Sequence, residues 1–147
     1  MFPIDSDTCE SISQLAAMWA KLVADVGGTV AEEPGLAIRW ADSPFVFYNA
    51  LVATGPLKDE EQTRNLLARS AEFMQSCTQP GCLWLFDDLI SPDVRNDLPR
   101  LAQEEGLEST FQCWGMSGEI FDRREPHHPL LRFERVASAQ HLEDYAR

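Results

Sequence analysis

Cations are scarce in this chain. Its 147 residues carry 24 acidic side chains against 12 basic ones, a net charge of −12, and its only lysines are Lys21 and Lys58. No basic stripe can be drawn on any face, which argues against nucleic acid and against anionic membrane as partners. Long apolar runs are missing too. No stretch approaches the ~20 residues of a membrane span. The N-terminal Met-Phe-Pro-Ile-Asp-Ser-Asp has neither the basic region nor the apolar centre of a signal peptide. The cysteines, Cys9, Cys77, Cys82 and Cys113, form no C-x-x-C pair, and no histidine neighbours Cys77 and Cys82. That spacing excludes the usual zinc sites and leaves free thiols in a reducing, cytoplasmic setting as the expectation.

What remains is ordinary globular composition, with 44% hydrophobic and 24% charged residues. A chain of this length buries roughly two-thirds of its unfolded surface and needs no covalent staple. The acid excess reads as a solvated surface, with a cationic substrate or partner as the sharper alternative.

Over 11–26, Ile12, Leu15, Ala16, Trp19, Leu22, Val23 and Val26 keep helical spacing, and Gly27-Gly28 stops the run. Ser11 with Gln14 is one capping box, and Asp7 with Glu10 is a second one turn earlier. Residues 29–34 read as a short acidic link. Residues 36–40, Leu-Ala-Ile-Arg-Trp, alternate as a half-buried strand does. Asp42-Ser43-Pro44 then turns the chain back into an antiparallel hairpin.

The stretch 45–86 reads strand, loop, helix, strand. Residues 45–53 are rich in aromatic and β-branched side chains. Gly55-Pro56 breaks the strand, and Asp59 caps a helix that opens on Glu60 and Glu61. Leu66, Leu67, Ala71 and Met74 form that helix's apolar stripe, and Gln79-Pro80-Gly81 ends it. Residues 82–86, Cys-Leu-Trp-Leu-Phe, are a second strand, so the whole is a βαβ unit with parallel strands and a right-handed crossover. In such a unit a phosphate-bearing ligand would sit at the loop between first strand and helix, here Gly55 to Lys58.

Ser91-Pro92 opens a second amphipathic helix, which Pro99 should kink or restart and Gly106 ends. Residues 107–120 read as a strand containing Phe111, Cys113, Trp114 and Met116. Residues 122–130, which include His127 and His128, read as an exposed linker; adjacent histidines point in different directions and make a poor base or metal pair. Residues 131–136 alternate as a strand, and Ser138 caps a helix over 139–147.

The order helix, hairpin, βαβ, helix, strand resembles the GNAT acetyltransferase superfamily. Closest is the degenerate first unit of proteins that carry two such units in tandem. The residues behind the likeness are Pro44-Phe45 with Asn49-Ala50, Leu83-Trp84-Leu85, Glu104-Glu105-Gly106-Leu107, Gly115-Met116, and Leu131 to Val136. The resemblance implies an α/β fold, a mixed β-sheet flanked by helices. It places a GNAT-like domain over 1–121, a linker over 122–130, and the strand and first helix of a second, incomplete unit over 131–147.

It also implies acetyl-CoA as the family cofactor, its pyrophosphate held by a glycine-rich loop where this chain has Ala53-Thr54-Gly55-Pro56-Leu57-Lys58-Asp59-Glu60-Glu61. Only Gly55 and Lys58 suit that role. Pro56 lacks an N–H, and the three acids repel a diphosphate. Neither Tyr48 nor Tyr145 stands where the family places its general acid; Asp87-Asp88 and Ser91 occupy that ground. Asp87 and Asp88 read as a turn cap or as a base or cation contact. Asn49, Trp84, Asp87 and Trp114 are the candidate pocket residues. The resulting expectation is a non-catalytic unit, without its own cofactor, that supports an acetyl-CoA-dependent N-acetyltransferase through a second GNAT unit or a homodimer partner. The alternatives are an active transferase with an atypical loop and a stand-alone dimeric binding module.

Overall fold

The protein is described from a computed structural model, which covers residues 4, 6–114, 129–130 and 137–141. The chain divides into two compact units, Met1–Ser117 and Gly118–Arg147.

Helix α1 spans Ser6–Asp25 and buries Ile12, Ala16 and Val23, a single stripe at helical spacing. It starts at Ser6, ahead of both capping candidates, with Asp7 inside its first turn. It stops in a Schellman arrangement: the N–H of Gly28 donates to Val23 O and that of Gly27 to Ala24 O. The acidic link of the sequence reading is strand β1, Thr29–Glu33, paired antiparallel with β2, Leu36–Trp40. Pro34 and Gly35 make the two-residue turn between them. Gly35 sits at φ +74°, where a side chain would be strained. β1 escaped notice because an exposed edge strand needs no apolar alternation.

β2 pairs antiparallel with β3, Asn49–Ala53, in a register running from Leu36 opposite Ala53 to Trp40 opposite Asn49. Two expectations fail here. β2 is not half-buried; all five residues are buried, Arg39 included. The second strand does not begin at Phe45 either. Val46–Tyr48 wind into a 3₁₀ turn closed by Tyr48 N–H to Phe45 O, which leaves Phe45 and Tyr48 exposed and Phe47 half-buried instead of placing them in the sheet.

Helix α2, Glu60–Ser76, carries the chain over to β4, Cys82–Trp84, which runs parallel to β3. The sheet order is β1-β2-β3-β4. β4 ends two residues before the expected Phe86. The chain turns through a 3₁₀ turn at Asp87–Leu89, and Leu57 and Ile90 then form an isolated parallel bridge. The expected second helix is two: α3, Pro92–Arg95, and α4, Leu98–Glu104. Pro99 restarts the helix because its ring cannot follow an unbroken turn.

The two faces of the sheet carry different helices. Arg39 reaches back to Ala16 O of α1 from one face, while Trp40, next in the strand, packs edge-on against Phe73 of α2 from the other. The core lies between: Ile12, Leu36, Ile38, Leu51, Val52, Leu66, Leu67, Leu89, Ile90 and Leu101. Among the described residues the fold is thus α/β, a four-stranded mixed sheet with helices on both sides.

Charged side chains join α2 to α4. Arg64 contacts Glu60 at 2.8 Å and Glu104 at 2.6 Å, and Arg100 contacts Glu104 at 2.7 Å. Hydrogen bonds from Arg64, then from Arg100, hold the Glu104 carboxyl below its usual range. A carboxyl so lowered contributes stability fully above the ordinary carboxylate range and loses it as pH falls through the lowered value. We expect Glu104→Gln to flatten the acid limb of a urea-midpoint-against-pH curve and leave its neutral limb parallel to wild type.

Residues 107–114 follow as irregular chain, not the start of the expected strand. In the second unit, Ser138 Oγ accepts from His141 N–H at 3.2 Å, and residues 139–141 are helical. The expectations for 115–128, including His127 and His128, for the strand over 131–136 and for the helix beyond 141 lie outside the described residues.

Candidate functional site

The loop between β3 and α2 starts where Thr54 N–H donates to Gly35 O at 3.0 Å. Leu57 is then held on both sides, its N–H donating to Leu89 O and its carbonyl accepting from Ser91 N–H. Between these anchors the chain forms a cleft of about 430 Å³, lined among others by Gly35, Gly55, Asp59, Gln62, Asn65 and Arg69. This is the ground the sequence marked for a phosphate-bearing ligand.

Several of the donors at this helix start are already engaged. Asp59 Oδ1 accepts the Gln62 N–H at 2.8 Å, and Gln62 Oε1 accepts the Lys58 N–H at 3.2 Å. The Thr63 N–H goes to Asp59 O at 3.2 Å, and Pro56 has no N–H to give. The helix start is thus capped by its own side chains in a reciprocal pair. Arg69 is also committed, donating to Pro34 O at 3.2 Å and contacting Glu33 at 3.3 Å. Glu60 turns away to Arg64, while Asp59 and Glu61 stay on the cleft.

A second cleft of about 410 Å³ lies between α1 and the sheet, with Cys9, Ser13, Glu32, Arg39, Thr54 and Leu89 in its lining. Arg39 is its unexpected member: a side chain 4% exposed that donates to three carbonyls and to Glu32. The alternation of 36–40 pointed this arginine to solvent, and nothing local in the sequence says otherwise.

None of the four candidate pocket residues lines either of these two clefts. Asn49 is buried at the head of β3, its side chain spent on Ser43 and Pro80. Trp84 is half-buried at the end of β4, its ring edge-on to Trp19 and Phe111. Asp87 opens the 3₁₀ turn on the surface, and its carbonyl accepts from Arg95. Trp114 is 87% exposed. Gly55 lines the first cleft, and Lys58 stands at its rim through its backbone N–H. Burial raises the Cys82 thiol. Among the described residues, no three His, Cys, Asp or Glu side chains are grouped to hold a metal, and no helix is long and apolar enough to cross a membrane.

The chain matches no protein-family model, no curated protein and no solved structure.

Proposed function

We propose that this chain is a GNAT-like α/β unit that takes up no acetyl-CoA of its own and serves an acetyl-CoA-dependent N-acetyltransferase as a supporting, non-catalytic unit. The observation that carries the proposal is the capping of α2 by Asp59 and Gln62, which takes up the Gln62 and Lys58 N–H groups that would otherwise face a diphosphate. The order of elements supports the family reading: a helix, antiparallel strands, then a βαβ crossover into a parallel strand and further helices.

Electrostatics point the same way. One acid–phosphate charge pair at about 6 Å costs about 0.7 kcal/mol in water before screening. Asp59 and Glu61 each face a ligand that carries at least two such charges, and Arg69 is already paired with Glu33. A helix end gives back only about 0.3–1 kcal/mol. The net effect on an incoming pyrophosphate is repulsive.

Isothermal titration with acetyl-CoA, and separately with CoA, at low and at moderate salt tests this. We expect no binding heat below millimolar ligand at either salt. A micromolar isotherm would overturn the proposal and make the chain an active transferase with an atypical pyrophosphate loop.

A further inference from the structure

We draw no further inference here: the strongest candidate, the cleft of about 410 Å³ between α1 and the sheet above the buried Arg39, carries nothing, because the hydrogen bonds of that guanidinium run to the protein's own carbonyls and to Glu32 and nothing in the structure shows what would occupy the cleft.

Discussion

Arg39→Ala lowers the free energy of unfolding by about 3–5 kcal/mol, the range seen when one partner of a buried charged network is removed. The side chain is 4% exposed and spends its hydrogens inside the protein. Nε donates to Ala16 O in α1 at 2.9 Å, Nη1 donates to Ala31 O and Ile38 O at 2.9 Å each, and Nη2 bonds the Glu32 carboxylate. One planar fork thereby joins α1 to two neighbouring strands. Alanine removes the fork and the stem that packs beneath α1, and the loss is the sum of orphaned acceptors and a cavity.

Two companion variants separate these causes. Glu32→Gln should cost under ~1 kcal/mol, because Glu32 is 65% exposed and water replaces it readily. Arg39→Met should fall between the two, since it restores the packed stem but not the donors. Urea unfolding followed by tryptophan emission reads all three. An Arg39→Ala loss no larger than that of Glu32→Gln would mean the guanidinium is held by the exposed ion pair alone.

Arg39 also marks a boundary of what the sequence can disclose. The elements that read correctly are those whose own residues encode them. α1 and α2 show an apolar stripe, Asp59 caps α2 as its position suggests, and Gly27 and Gly106 stop their helices. The βαβ crossover follows from two apolar strands around one amphipathic helix. The elements that misread depend on neighbours. β1 holds its place through pairing with β2 rather than through its composition. The aromatic run before Asn49 has strand propensity, but local hydrogen bonds wind it into a turn. Arg39 looks like the outward member of an alternation, and only a helix lying across β2 makes its position an interior one.

The candidate site divides along the same line. Gly55 and Lys58 were placed by loop order; Gly55 lines the first cleft, and Lys58 is not among its lining residues. Of the pocket candidates, Asn49 and Trp84 came from short likenesses and Asp87 from its place after a strand; Asn49 is buried, Trp84 half-buried, Asp87 on a surface turn and Trp114 exposed. The capping of α2 by Gln62 was missed although its signal was present, a polar side chain three residues after Asp59.

Asn49→Ala is expected to cost about 3 kcal/mol, as a knot of buried polar groups loses its centre. Asn49 has no solvent exposure. Its Nδ2 donates to Ser43 O and to Pro80 O at 2.7 Å each, and its Oδ1 accepts the Ser43 N–H at 3.0 Å. The side chain therefore fastens the β2–β3 connection to the α2–β4 connection. Asp42 repeats the link nearby, accepting from the Thr78 hydroxyl at 2.7 Å and from Gln79 N–H at 3.3 Å; the Thr78 bond chiefly holds its carboxyl below the usual range. The two connections come so close that a Cβ on Gly81 would lie 2.3 Å from the Trp40 ring and 2.6 Å from Asn49 O, so the knot has no room to relax around a lost partner. Asn49→Asp sharpens the test. It preserves volume but turns a donor pair into an acceptor facing two carbonyls, so at neutral pH it should cost at least as much as alanine. A carboxyl in that setting has its pKa raised. Protonation restores one donor, and the deficit relative to wild type should shrink as pH falls from the raised value to the ordinary carboxylate range. Were Asn49 a pocket residue with spare hydrogen-bonding capacity, both variants would melt within ~0.5 kcal/mol of wild type at every pH. Urea midpoints between pH 4 and 7 decide between the two roles.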